Sequence, residues 1–234
     1  MKAEKMKYAL LIPAYNEEEN IKGVIQKSQK FVKDIFVVDD GSQDMTSLIS
    51  RKAGAYVIRH EKNRGKGAAI ITGFSEILKR NFDAVITIDA DGQHLPSEIP
   101  VLITAFEHAD GDIIIGERLI NLDKMPFHRY LANKIGKFFI SRAAGTHLRD
   151  TQSGFRIYSK EVIKRVIIDT RGFEMETEIL LKARKAGFRI GSTRVTTVYA
   201  DNHPSHFRPV KDFYKISILV LKNLFKKNER GGKR

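Results

Sequence analysis

Residues 84–94 read Ala84-Val85-Ile86-Thr87-Ile88-Asp89-Ala90-Asp91-Gly92-Gln93-His94. The apolar, largely β-branched run Ala84–Ile88 is a short buried-type strand, stopped by two acids and a glycine. Side chains at i and i+2 of a strand share a face, so the spacing predicts that Asp89 and Asp91 leave the sheet edge together and hold one hard cation. Two carboxylates leave coordination positions free, which suits Mg²⁺ or Mn²⁺ carrying substrate phosphates. Taken alone, an Asp-x-Asp is also a common solvated turn, with Gly92 supplying positive φ.

The same pattern recurs on both sides. Upstream, Ala9-Leu10-Leu11-Ile12 reaches a Pro13-terminated edge, then Asn16 as a helix cap with Glu17, Glu18 and Glu19 in the first turn. Ile35-Phe36-Val37-Val38 runs into Asp39-Asp40-Gly41-Ser42. Strands at Tyr8–Ile12, Ile35–Val38, Ala55–Ile58, Val85–Ile88 and Asp112–Ile115 alternate with helical patterns at Glu17–Phe31, Thr46–Lys52, Ala68–Lys79 and Glu98–Glu107. Such alternation predicts an α/β fold, a mainly parallel sheet with helices on both faces. Ligands of these sheets sit beyond the carboxyl ends of the strands, where Asp39, Asp40, Asp89, Asp91, Glu117, Arg118 and the Pro13–Glu17 turn converge. After Gly116 the rhythm changes: a helix over Arg129–Ala144, a strand over Phe155–Tyr158, helices over Lys160–Val166 and Glu174–Ala186, a strand over Arg189–Val198, and a loop over Asp201–Pro209.

At 234 residues the chain can bury a substantial core, and one compact unit is expected. It has no cysteine, so disulfides and thiolate metal sites play no part and a cell interior fits. Met1-Lys2-Ala3-Glu4-Lys5 opens with charge, the first apolar run is too short for a signal sequence, and no stretch approaches the roughly 20 apolar residues that span a bilayer. A soluble or peripheral protein is expected. Lysine and arginine outnumber aspartate and glutamate by 41 to 28, a formal net charge of +13, so an acidic partner is implied: nucleic acid, an anionic membrane surface or phosphorylated substrates. Helix-turn-helix, zinc-spacing and RNP-like signals are missing, and carboxylates occupy the supposed site, so no nucleic-acid partner is expected.

Ile12-Pro13-Ala14-Tyr15-Asn16-Glu17, Val38-Asp39-Asp40-Gly41-Ser42 and the later Asp-x-Asp resemble signatures of the family-2 inverting glycosyltransferases of GT-A fold. That fold is Rossmann-like, with a nucleotide-sugar half abutting an acceptor half. Within the family the nearest likeness is to dolichyl-phosphate mannose synthases and related polyprenyl-phosphate glycosyltransferases. It is carried by Asn63-Arg64-Gly65-Lys66-Gly67-Ala68-Ala69, by Asp89 to His94, by Asp150-Thr151-Gln152-Ser153-Gly154-Phe155-Arg156 and by Phe173-Glu174-Met175-Glu176. The likeness thins beyond Ala200. It implies one domain over 1–209, with a nucleotide-sugar half at 1–116 and an acceptor half at 117–209; beyond it the residue pattern itself reads as a basic amphipathic helix and tail at 210–234.

On this resemblance the nucleotide-sugar set comprises Pro13, Tyr15, Glu17, Asp39, Asp40, Lys66, Asp89, Ala90, Asp91 and Arg208, with base and ribose in the first β-to-α turn. Tyr15 can stack on a base, and Asp39 can accept from a base-edge N–H. Glu17 reads equally as an acid stabilising a helix N-terminus, whereas Asp39 ends a buried-type strand and has little structural reason to be acidic. Arg64-Gly65-Lys66-Gly67 precedes a helix, so free backbone N–H groups and two cations are expected to face a phosphate, Lys66 being the better contact. A glycine-rich turn with solvated cations is the plain alternative.

Gln93 joins Asp89 and Asp91 in the metal set, as its counterpart does in the resembled synthases, and His94 is left out because a hard cation prefers oxygen. Arg118, Arg129 and Asn133 take the acceptor phosphate by the same resemblance. Arg129 and Asn133 share a helix face, and Asn133 stands where a serine is more usual; an ordinary surface cation on a helix is the plain alternative for Arg129. Arg156 is placed to meet phosphate or a neighbouring carboxylate. Glu174, Glu176 and Glu178 alternate at a helix start, where the macrodipole favours acids for structural reasons, so a functional and a structural Glu176 both stay open. Arg208, in a loop of cations, closes over the diphosphate.

The reaction implied is inverting, metal-dependent transfer of a hexosyl group from a nucleotide diphosphate sugar to a polyprenyl phosphate, with Asp89, Asp91, Arg118 and Arg129 as the catalytic set. The resemblance suggests GDP-mannose; UDP-sugars, and dolichyl or undecaprenyl lipids, stay open. A phosphate monoester, with a second pKa of about 6, attacks without a dedicated base. A hydroxyl acceptor needs one, for which Asp150 and Glu176 are the candidates. Family-2 transfer to a sugar hydroxyl is the first alternative, although the processive synthases' Gln-x-x-Arg-Trp is excluded in a chain without tryptophan. A nucleotidyltransferase would carry a glycine-rich loop where Pro13-Ala14-Tyr15-Asn16 stands; a basic nucleic-acid-binding module is the alternative from another class. Val210–Lys227 has a helical pattern with Phe213, Ile216, Val220 and Leu224 on one face and Lys211, Lys215, Lys222 and Lys226 beside it. A lipid acceptor favours contact of this helix with an anionic membrane surface over packing on the sheet. The expected location is cytoplasmic, peripheral on the inner face of the cell membrane, with a membrane-embedded partner subunit as the other route to the bilayer.

Overall fold

The computed structural model describes residues 6–108, 111–118, 150, 153–172 and 174–196. Within them seven strands form one sheet in the order β3-β2-β1-β4-β6-β5-β7: β1 Tyr8–Ala14, β2 Asp34–Asp39, β3 Tyr56–Arg59, β4 Ala84–Thr87, β5 Ile113–Arg118, β6 Arg156–Ser159 and β7 Ile190–Val195. β1 pairs in parallel with β2 and β4, β2 with β3, and β5 with β7, while β6 runs antiparallel between β4 and β5. The helices are α1 Ile21–Ser28, α2 Thr46–Lys52, α3 Lys66–Leu78, α4 Ile99–His108, α5 Lys160–Arg165 and α6 Met175–Lys185.

The central strands are continuously apolar because both sheet faces are covered. Ala9 and Leu11 join Phe36 and Val38 under Ile70 and Phe74 of α3 and Ile179 and Leu180 of α6. Their neighbours Leu10 and Ile12 join Val37 and Ile86 under Ile25 of α1 and Leu102 of α4. Each of the larger of these side chains, the Val, Leu, Ile and Phe, stabilises by roughly 1.5–3 kcal/mol relative to exposure. β4 pairs with β1 only as far as Leu11, so Pro13 falls where β1 has a ladder on one side alone, a place that tolerates a missing N–H.

Several boundaries differ from expectation for identifiable reasons. α1 begins at Ile21, not Glu17, and Asn16 is not its cap: Asn16 has φ 55° and accepts the Gln43 N–H at 2.9 Å. The N–H groups of Asn16 and Glu17 go to the hydroxyls of Ser42 (2.9 Å) and Thr46 (2.8 Å), so a neighbouring turn claims the donors a helix would use. β4 ends at Thr87, and α3 begins at Lys66 rather than Ala68. Asp89 and Asp91 therefore lie beyond the strand, and strand alternation does not bring them together. Arg129, Asn133, Arg208, the 129–144 helix, the 201–209 loop and the 210–227 helix lie outside the described residues.

The acids at the start of α6 are more than dipole partners. Buried Glu178 accepts the N–H groups of Asp169 (3.2 Å) and Thr170 (2.8 Å), the Thr170 hydroxyl (2.6 Å) and Lys182 Nζ (2.5 Å), pinning the preceding loop to the helix. Burial works to raise its pKa, but the bonds from Lys182 and Thr170 outweigh it and hold the carboxyl below its usual 4.5. As pH falls the unfolded chain takes that proton first, so the stabilisation is whole above pH 4.5 and is lost below it. Glu178→Gln is expected to lower neutral-pH stability by about 1–3 kcal/mol and to flatten the loss at acid pH in urea titrations. Wild-type stability in the variant would refute the pin.

Candidate active site

Six strands point the same way and end at one edge, where β6 begins. Past β4 at that edge, the Asp89 carboxylate meets Lys66 Nζ at 2.7 Å. Lys66, the first residue of α3, also lies 2.7 Å from Glu176 Oε1, and Glu176 Oε2 is 3.7 Å from Arg156 Nη2. Fully buried Arg156 donates to the carbonyls of Ser153 (2.6 Å) and Glu176 (2.7 Å). The result is a line of alternating charge, Asp89–Lys66–Glu176–Arg156, that ties β4, α3, α6 and β6 together. The neighbouring carboxylate expected for Arg156 is Glu176.

Burial opposes the charge on Lys66, but Asp89 and Glu176 outweigh it and keep the amine protonated. Burial likewise opposes ionisation of Asp89, and Lys66 overrides it, holding this carboxyl below the usual range. Asp91 goes the other way: burial and then the Asp89 charge push it up, only partly offset by the Gln93 N–H at 2.9 Å. One carboxylate is compensated and its neighbour is not. Hard oxygen donors short of positive charge are the setting a divalent cation fits. Among the described residues no set of three or more acidic, His or Cys side chains converges.

Gly154 explains its own identity. A Cβ there would stand 2.7 Å from the Asp89 carboxyl carbon, closer than real side chains allow, while the Gly154 carbonyl accepts the Thr87 hydroxyl at 2.8 Å. His94 packs on Phe155 with ring centroids 5.3 Å apart, and burial lowers it to about 4 against the pull of Asp89, so it is neutral at neutral pH.

Asp39 corrects the reading that it lacks a structural reason to be acidic. Wholly buried, it accepts the Ser42 N–H at 2.8 Å and the Ser47 hydroxyl, with Arg59 Nε at 3.6 Å. Asp40 accepts the N–H groups of Arg64 (3.0 Å) and Gly65 (2.7 Å), and the Ala68 N–H goes to the Arg171 carbonyl at 3.1 Å. Three amides expected to cradle a phosphate are thus bonded within the protein. Gly65 has φ 97° and a Cβ on it would meet the Arg171 carbonyl oxygen at 2.5 Å, so the turn admits only glycine. The sequence reading missed His60, buried just past β3, whose Nδ1 lies 2.6 Å from Asp40 Oδ1 and whose Nε2 lies 3.0 Å from Thr72 Oγ1. Its only signal was its place at a strand end.

Pro13 is buried and Tyr15 half-buried beside the end of β2, and the Glu17 carboxylate accepts Asn20 Nδ2 at 3.1 Å. The Ala90 side chain belongs to the core. At the end of β5, Arg118 forms a fork on Asp150, Nε to Oδ2 at 2.6 Å and Nη2 to Oδ1 at 3.2 Å. Burial opposes the guanidinium charge, and Asp150 outweighs it.

Residues 9–167 match the family model described as glycosyl transferase family 2. A UDP-N-acetylglucosamine–dolichyl-phosphate N-acetylglucosaminyltransferase of Methanococcus voltae is 32% identical over 246 residues, 94% of this chain and 98% of that protein. A dolichol-phosphate mannosyltransferase of Pyrococcus furiosus is 36% identical over 193 residues, 76% of this chain and 53% of that protein. Among solved structures, glucosyl-3-phosphoglycerate synthase from Mycobacterium tuberculosis in complex with Mn²⁺, uridine diphosphate and phosphoglyceric acid has TM-score 0.70 at 19% identity, covering 94% of this chain and 78% of its own. The mainly parallel sheet is the GT-A fold of such enzymes.

Proposed function

From the premise that the chain belongs to glycosyl transferase family 2 and is a glycosyltransferase, we propose that it transfers a hexosyl group, with inversion, from a nucleotide diphosphate sugar to the phosphate of a polyprenyl lipid. One observation carries the choice of acceptor. Asp150 and Glu176, the acids that could deprotonate a hydroxyl, are both committed to cations, Asp150 to Arg118 and Glu176 to Lys66 and Arg156. A carboxylate so neutralised is a poor base, and a phosphate monoester needs none. Mannose is the sugar favoured by the Pyrococcus furiosus likeness; N-acetylglucosamine is the second reading, favoured by the near-complete coverage of the Methanococcus voltae relative.

In this reading Asp89, Asp91 and Gln93 hold Mg²⁺ or Mn²⁺, which would offset the negative charge growing on the departing diphosphate. Lys66 keeps Asp89 ionised and adds its own field. Asp150 fixes the plane of Arg118, which presents its outer edge to the acceptor phosphate with Arg129 and Asn133. Pro13, Tyr15, Glu17 and the Ala90 backbone flank the nucleotide, Asp39 and Asp40 shape the turns beneath it, and Arg208 covers the diphosphate. No helix among the described residues is long and apolar enough to cross a membrane, so the proposed setting is peripheral, on an anionic inner face, with 210–227 or a membrane-embedded subunit as contact.

The test is direct: full-length protein, Mn²⁺, and labelled GDP-mannose or UDP-N-acetylglucosamine, with undecaprenyl or dolichyl phosphate. A glycosyl phosphoryl lipid is expected. Arg118→Ala should lower kcat/KM for the lipid phosphate about 100-fold while nucleotide-sugar binding, read by thermal shift, changes little. Transfer to a free sugar with none to a phosphorylated prenol would overturn the proposal.

A further inference from the structure

The loop 166–172, between α5 and α6, touches the site just described only through the Arg171 carbonyl, which backs the Gly65 turn. At its tip Ile167 is 76% exposed, the largest value for a big hydrophobic among the described residues. A lone exposed isoleucine is ordinary. This one is held firmly: Lys182 Nζ donates to the Ile167 carbonyl at 2.9 Å and to Asp169 at 2.6 Å, and buried Glu178 accepts the N–H groups of Asp169 and Thr170. A buried carboxylate and a lysine together keep an apolar side chain in water.

The surroundings are basic. Lys164, shared with Glu161, and Arg165 precede the tip, and Arg171 follows it. Arg64, at the approach to α3, and Arg171 line a cavity of about 310 Å³ together with Ile71, Thr72, Ile168 and Asp169. Asp169 shares Lys182 with Glu178 and is itself largely exposed, whereas among the described residues neither Arg64 nor Arg171 has an acidic partner for its side chain, so two cations outweigh one half-compensated acid at the cavity.

We propose that the 166–172 loop docks the protein on an anionic lipid surface, with Ile167 entering the acyl region and Arg64 and Arg171 receiving a lipid phosphate in the cavity beside it. The inference rests on the reading that the acceptor is a prenyl phosphate held in a bilayer. An apolar tip ringed by cations is what such a surface selects, because acyl burial and attraction to anionic headgroups act together.

The chain has no tryptophan, so Ile167→Trp introduces a single fluorescent reporter. With vesicles of phosphatidylglycerol and phosphatidylcholine the full-length I167W emission is expected to shift to the blue and to be quenched by brominated acyl chains, and to do neither with phosphatidylcholine alone. Ile167→Asp should weaken partition onto the anionic vesicles about tenfold, and the Arg64→Ser, Arg171→Ser pair by a similar factor, with melting temperatures unchanged. Unshifted emission from I167W protein that sediments with the vesicles, or wild-type partition of Ile167→Asp, would overturn the proposal. Transfer to a short water-soluble prenyl phosphate separates the two readings: docking through Ile167 without such transfer supports the surface and sinks only the acceptor assignment.

Discussion

Asp89→Asn is expected to lower sugar transfer at least about 1,000-fold, the scale on which removing a charge-stabilising group from an active site acts. The fold should survive, because Lys66 keeps Glu176 as a partner and asparagine can still accept its hydrogen bond. Asp91→Asn should lose as much activity and yet raise the melting temperature of metal-free protein. Asp91 is pushed up by burial and by the Asp89 charge, so its ionised form costs stability that an amide does not. Chelation should bring the wild type down to the same floor, with recovery on Mn²⁺ that neither variant shows. Near-normal transfer by either variant or by chelated enzyme, or a lowered melting temperature for Asp91→Asn, would count against the metal assignment.

Gly154→Ala should be nearly as damaging for a different reason. The new methyl would occupy the place of the Asp89 carboxyl group, so this side chain must swing away from Lys66 or β6 must shift from β4. A loss of about 100-fold in transfer is expected, with about 1–3 kcal/mol of overpacking strain. Because both substitutions act on one carboxylate, Gly154→Ala added to Asp89→Asn should cost little more activity than Asp89→Asn alone. Multiplied losses would place Gly154 in a separate role.

Strand ends were legible in this chain because the apolar runs of β2 and β4 stop abruptly at acids and that of β1 at Pro13, and a doubly covered sheet demands such runs. Partners were less so. Lys66 stood out from its glycines, but nothing local says that it meets Asp89 and Glu176, since the three come from α3, the end of β4 and α6. Asp39 and Asp40 looked free for ligand because the amides and hydroxyls that claim them lie three to twenty-five positions downstream in turns whose closure the sequence does not display. The start of α1 failed similarly, with Ser42 and Thr46 overriding a run of three acids. The antiparallel insertion of β6 between β4 and β5 left no periodic trace, and with it went the reason for Gly154.

The fork between Arg118 and Asp150 has a consequence for how such an enzyme diversifies. It holds together two residues 32 positions apart, Arg118 at the end of β5 and Asp150. A segment rooted at a single point can be lengthened, shortened or replaced cheaply, each doubling in length adding only about 0.6 kcal/mol of closure entropy. On the acceptor reading, Arg129 and Asn133 belong to that cassette while Asp89 and Lys66 do not. New acceptor preferences can therefore be grafted between these two residues of the fork, Arg118 and Asp150, by drift or by design, on a donor-binding sheet left as it is.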